Sequence, residues 1–201
     1  MERKTKLVRK TKETDINIEL NLDGAGDYTI NTSIGFFDHL LTQVAIHGLF
    51  DMKIIAEGDL NVDTHHIIED TAIVLGEAFF KALGPKSGIM RVGHSFFPMD
   101  DSLAFVAVDI SSRPYFIKDI KWINQFLGSK EENLIPVDLI EHFLYTFSIN
   151  AKITLHVRVL YGQNNHHIAE AIFKALGKAL DHASRIDSKR NLRIPSSKGI
   201  L

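Results

Sequence analysis

Apolar and polar residues alternate from Thr14 to Leu22, with Ile16, Ile18, Leu20 and Leu22 on one side. A period of two predicts a strand with one buried face. Asp23-Gly24-Ala25-Gly26 reads as a turn, and Tyr28, Ile30, Thr32 and Ile34 continue the alternation as the hairpin partner. Gly35 breaks this pattern. Phe36 to Ile46 then predicts a helix stopped by Gly48, Met52 to Ala56 a short strand, and Thr64 to Leu83 a long amphipathic helix ended by Gly84-Pro85.

The same order returns further along. Leu103, Phe105, Val106, Val108 and Ile110 predict a buried strand, and Tyr115 to Ile117 another. Asn124 to Asn133 reads as an exposed loop. Pro136 can open a helix, because its missing N–H costs nothing at the first helical position. Ile153 to Leu160 predicts a strand. Asn165 to about Arg185 predicts a helix with Asn164 or Asn165 as N-cap.

The recurrence is visible in the residues themselves. Asp38-His39-Leu40-Leu41 aligns with Glu141-His142-Phe143-Leu144, and His65-His66-Ile67-Ile68-Glu69 with His166-His167-Ile168-Ala169-Glu170. Without a gap, Leu75-Gly76 then falls on Leu176-Gly177. His39 precedes His65 by 26 residues and His142 precedes His166 by 24. The expected architecture is α+β, a tandem repeat of two α/β sandwich units, each a sheet with two helices on one face. The division is 1–92, 93–187 and a C-terminal tail 188–201, with no Pro/Gly/Ser-rich linker between the halves, so one fused unit is expected.

Composition narrows the function. The 201 residues carry a net charge of −2, which gives no overall basic field for nucleic acid. The basic N-terminus has no apolar stretch behind it, so it is not read as a secretory signal, and no run of apolar residues is long enough to span a membrane. Cys is absent, which excludes disulfides and thiolate metal sites and fits a reducing cytoplasm. The abnormal number is ten His.

Six of them, His39, His65, His66, His142, His166 and His167, occupy repeat-matched positions. In each HHxxE the Glu (Glu69, Glu170) follows the first His by four residues and the second by three, spacings that share a helix face. Adjacent His residues lie about 100° apart on a helix and cannot easily hold one ion. Each pair is therefore expected to serve two metals, one His to each. The mixed N/O set without sulfur suits Mn, Fe, Co, Ni or Zn, and carboxylates with open octahedral positions favour Mn or Fe. The partition among ions stays open, as does whether ligands come from one subunit or two. A second feature is a set of cations beside Gly, Ser and turn residues: Arg91, Arg113, Lys174 and Lys198. Arg and Ser donors suit bidentate phosphate recognition.

These motifs, with a GFFDHLL segment, a KTKET start, a second HHIAEAIFKAL and a PSSKG tail, resemble imidazoleglycerol-phosphate dehydratase of histidine biosynthesis across essentially the whole chain. The resemblance is to the monofunctional form, without a fused histidinol-phosphatase domain. It implies a tandem ribosomal-protein-S5-domain-2-like fold. It also implies a cytoplasmic hydro-lyase that converts imidazole-glycerol phosphate to imidazole-acetol phosphate and water, and a 24-subunit shell with sites at subunit contacts. Two Mn²⁺ per active site and no organic cofactor go with it.

Residue by residue, the resemblance implies His39, His65, His66, Glu69, His142, His166, His167 and Glu170 as metal ligands. It makes Glu13, Glu69 and Glu170 the catalytic carboxylates, with Glu13, Gln43 and His47 at the substrate and Arg91, Arg113, Lys174, Ser196, Ser197 and Lys198 around its phosphate. His47 has Asn150 as its repeat counterpart, which fits a substrate role rather than a metal role. Two positions depart from expectation. Ser112 stands where the family usually has Gly before Arg-Pro, and Gly177 sits inside a helix at a cost of about 1 kcal/mol relative to Ala.

Overall fold

The computed structural model describes residues 2–128 and 134–201. The first half comprises β1 (Lys4–Lys10), β2 (Thr14–Asn21), β3 (Tyr28–Asn31), α1 (Gly35–Gly48), β4 (Asp51–Gly58) and α2 (His65–Leu83). The second comprises β5 (Val92–Met99), β6 (Ser102–Asp109), β7 (Tyr115–Asp119), α3 (Val137–Asn150), β10 (Thr154–Tyr161) and α4 (Asn165–Ser184). A short ribbon of β8 (Phe126–Leu127) and β9 (Ile135–Pro136) is inserted before α3.

The two sheets have the same topology, β1-β2-β4-β3 and β5-β6-β10-β7, with the last strand of each parallel to its neighbour and the rest antiparallel. This bears out the tandem repeat of α/β units. Ile16, Ile18 and Leu20 of β2 and Met52, Ile54 and Ala56 of β4 are buried on one face of the first sheet. Ala104, Val106 and Val108 of β6 and Leu155 and Val157 of β10 are their counterparts in the second. α1 and α2 cover the first of these faces and α3 and α4 the second. The units then meet helix to helix, α1 on α4 and α2 on α3. Among the described residues, no helix is long and apolar enough to cross a membrane.

Glycine sets this crossing. A Cβ on Gly177 of α4 would lie 2.9 Å from the Val44 carbonyl oxygen and 3.0 Å from the Gly48 nitrogen of α1. On Gly76 of α2 it would lie 2.8 Å from the Phe147 carbonyl oxygen and 2.9 Å from the Ala151 nitrogen. Repeat-matched glycines thus let both helix pairs approach closely, which accounts for Gly inside a helix at Gly177. Gly48 belongs to the same crossing, and the left-handed residue that ends α1 is Leu49 (φ 56°).

Strand pairing departs from the sequence expectation. The hairpin partner of β2 is β1, not the Tyr28 strand, which instead runs parallel to β4. β1 was hidden because Lys and Arg dominate this edge strand, where charge blocks edge-to-edge pairing. Similarly, β5 pairs with β6 although Val92, His94 and Phe96 face outward and blur the alternation. The segment expected as an exposed loop contains β8, whose Leu127 is buried against the core; residues 129–133 lie outside the described residues. Pro136 stands at the N-cap of α3 rather than at its first turn. Asn164 caps α4, accepting the His166 N–H at 2.8 Å.

Candidate metal centre

Two clusters of the same composition form where the halves meet. His39 of α1 joins His166 and Glu170 of α4; His142 of α3 joins His65 and Glu69 of α2. In each, one atom per residue lies within 4.8 Å of the others. A His from the short helix of one half therefore meets the His-x-x-x-Glu turn of the long helix of the other. His166 Nε2 is 2.7 Å from Glu170 Oε1, and His142 Nε2 is 3.0 Å from Glu69 Oε1. His65 Nε2 is 3.8 Å from Glu69 Oε2.

The donor set fits a divalent transition-metal ion: two imidazoles and one carboxylate converge without sulfur. An orphaned atom points the same way. His39 Nε2 is buried and has no hydrogen-bond partner, although it lies 3.0 Å from Glu170 Oε1. Glu170 is buried, which by itself would raise its carboxyl. The Lys174 ammonium, 2.7 Å away, and the imidazoles of His39 and His166 outweigh burial and lower it to about 2. It therefore stays ionised, as a ligand must.

The second His of each HH pair faces elsewhere. His66 Nδ1 lies 3.0 Å from Asp59 Oδ1 and 3.9 Å from Glu13 Oε2. His167 Nδ1 lies 2.8 Å from Asp101 Oδ1. Asp59 and Asp101 were not singled out from the sequence, since neither shares a helical spacing with its His. Glu13 is exposed in the β1–β2 turn.

The expected substrate residues fall into two groups. Gln43 Nε2 donates to the His39 carbonyl oxygen at 3.2 Å, beside the first cluster. His47 packs on the Phe97 ring, 4.7 Å between centroids, and burial, then Lys174 and Lys178, push its imidazole below the usual histidine value. Lys174 stands with this group, bonded to Glu170, rather than with the arginines.

The other group gathers around Asp109. Arg91 grips both its carboxylate oxygens at 2.7 and 3.1 Å and also donates to the Pro195 carbonyl oxygen at 2.9 Å. Arg113 reaches within 4.0 Å of the same carboxylate and is largely exposed. The tail bearing Ser196, Ser197 and Lys198 is thereby brought beside both arginines, with the Lys198 N–H donating to Ser196 Oγ at 3.2 Å. Ser112 explains its own departure. Its φ of 56° is the conformation that favours Gly, and its hydroxyl accepts from the buried ammonium of Lys86.

Comparison with known proteins agrees with this site. The family model described as imidazoleglycerol-phosphate dehydratase matches residues 32–180. The imidazoleglycerol-phosphate dehydratase of Thermoanaerobacter pseudethanolicus is 54% identical over 199 residues, covering 99% of this chain and 100% of that one. That of Clostridium botulinum strain Langeland is 54% identical over 196 residues, covering 98% and 97%. Two solved structures are similar in fold. The enzyme from Staphylococcus aureus N315 has a TM-score of 0.81 at 34% identity, covering 92% of this chain and 99% of that one. The Pyrococcus furiosus protein, solved in complex with (S)-C348, has a TM-score of 0.80 at 37% identity, covering 97% and 100%. The chain belongs to the imidazoleglycerol-phosphate dehydratase family and is a dehydratase, a hydro-lyase.

Proposed function

We propose that this chain catalyses the metal-dependent dehydration of imidazole-glycerol phosphate to imidazole-acetol phosphate and water, a step of histidine biosynthesis in the cytoplasm. The observation that carries the metal dependence is the duplicated cluster, His39–His166–Glu170 and His65–Glu69–His142, with one unbonded imidazole nitrogen already buried inside it. Two Mn²⁺ ions are held there. When bound, they supply Lewis-acid stabilisation for negative charge developing on the substrate's imidazole ring.

The reaction removes a proton from a chain carbon that is not next to a carbonyl, so the imidazole ring is the electron sink. Loss of the hydroxyl follows, and the resulting enol tautomerises to the ketone. A carboxyl held at about 2 is a weak base, so Glu170 fits ligation better than proton transfer. Glu69 sits in the matching position of the other cluster. Glu13, exposed beside His66, is the remaining carboxylate and carries the proton. Arg91, Arg113, Ser196, Ser197, Lys198 and Lys174 hold the phosphate, and Gln43 and His47 border the imidazole-binding side. Orientation by such a clamp is worth several kcal/mol, about 7 or more in the best cases.

Assembly belongs to the same reading. Each cluster draws two His and one Glu from one chain, while His66 and His167 face away from both. A shell of 24 copies, with these two His completing the sites of neighbours, brings the separate groups together. The chain divides into repeats 1–92 and 93–187 and a substrate-binding tail 188–201. The test is incubation of Mn-loaded protein with imidazole-glycerol phosphate: a ketone product is expected, and none with metal bound and the assembly intact overturns the reading. Phosphate release or oxygen uptake instead would mark a hydrolase or an oxygenase.

A further inference from the structure

We propose that Asp59 and Asp101 are positioning residues that hold His66 and His167 with Nε2 turned outward for a divalent metal ion. This rests on the reading of those two His as ligands. In both HH pairs the two rings divide the work in the same way. The first ring, His65 or His166, engages the Glu of its own helix through Nε2. The second engages a loop carboxylate through Nδ1, His66 with Asp59 at 3.0 and 3.2 Å and His167 with Asp101 at 2.8 Å. An ionised carboxylate can only accept, so Nδ1 carries the hydrogen and the lone pair of the neutral ring is left on Nε2. Asp100 lies 3.6 Å from His167 Nε2, beyond hydrogen-bond distance, so it leaves that lone pair free.

The two aspartates are not copies of each other. Asp59 follows β4, whereas Asp101 lies in the β5–β6 turn. The same Asp–His geometry has thus been reached from two different loops, which the duplication of the helices does not explain. Both carboxylates are also held in place. Asp101 accepts from Ser102 Oγ at 3.0 Å and the Gln163 N–H at 3.1 Å. The Asp59 backbone N–H donates to the Glu13 carbonyl oxygen at 3.2 Å, tying its loop to the β1–β2 turn. Carboxylates placed behind ligating imidazoles fix ring orientation and basicity.

The test is Mn²⁺ binding by equilibrium dialysis on the assembled protein, at a pH above the histidine range. Asp59→Ala and Asp101→Ala are expected to weaken binding by about 10- to 100-fold, with the metal-free melting temperature unchanged. Asp101→Asn keeps an oxygen acceptor for Nδ1–H and is expected to recover part of the loss. His66→Ala and His167→Ala serve as controls. If they lose Mn²⁺ while both Asp→Ala variants stay within about two-fold of wild type, the positioning role is overturned and the ligand reading survives. If the His variants bind Mn²⁺ like wild type, the ligand reading and this proposal fall together.

Discussion

His39 Nε2 lies 3.0 Å from Glu170 Oε1, although the two residues belong to opposite halves of the chain. His142 and Glu69 repeat the relationship at 3.0 Å with the halves exchanged. Neither half therefore owns a metal cluster. The helix-to-helix packing of α1 on α4 and α2 on α3 makes both, so a cluster reports on the docking of the two units as well as on its own ligands.

Glu170→Gln removes the carboxylate from one cluster only. Mn²⁺ content is expected to fall by about half, with the remaining half lost in the double variant Glu69→Gln/Glu170→Gln. Metal analysis after dialysis decides it; full content in the double variant would remove both carboxylates from the ligand set.

Glu13→Gln separates proton transfer from metal binding. Turnover is expected to fall by about 10²- to 10⁴-fold, with Mn²⁺ content unchanged. Product formation measured beside metal content checks this. Undiminished turnover would shift the proton to another group.

Gly177→Ala should improve the intrinsic helix propensity of α4 by about 1 kcal/mol and still destabilise the protein. The new methyl would meet the Val44 carbonyl oxygen at 2.9 Å and the Gly48 nitrogen at 3.0 Å, backbone atoms that cannot swing aside. Forcing helices apart in a packed core costs about 1–3 kcal/mol, so urea denaturation should show a net loss. A surface Gly→Ala would have the opposite sign.

Lys86 is 4% exposed, and its ammonium is shared between the Ser112 hydroxyl and the face of Phe80, which Lys152 also approaches. Burial, then the charge of Lys152, lowers its pKa from the usual lysine value. The unfolded chain binds more protons between that lowered value and 10.5, so this group adds stability as pH rises through the window. Lys86→Met should raise the melting temperature near neutral pH, by an amount on the order of 1 kcal/mol, and abolish this alkaline gain. Melting curves at neutral and alkaline pH measure both.

The sequence by itself determined what is local. The HHxxE spacing, the helix ends and the alternation in β2, β4, β6 and β10 depend on residues a few positions apart, and a doubled pattern makes them legible. It thereby named the six His and two Glu of the clusters. Only the tertiary structure decided which of them meet, because His39 finds Glu170 through the glycine-permitted crossing of α1 and α4. Pairing of β1 with β2 and of β3 with β4 was equally out of reach, since edge strands carry charge and partner choice is non-local. Asp59 and Asp101 reach His66 and His167 from loops, and Asp109 collects Arg91, Arg113 and the tail from three segments. No spacing along the chain encodes such approaches; they exist only once the two sheets have closed over their helices.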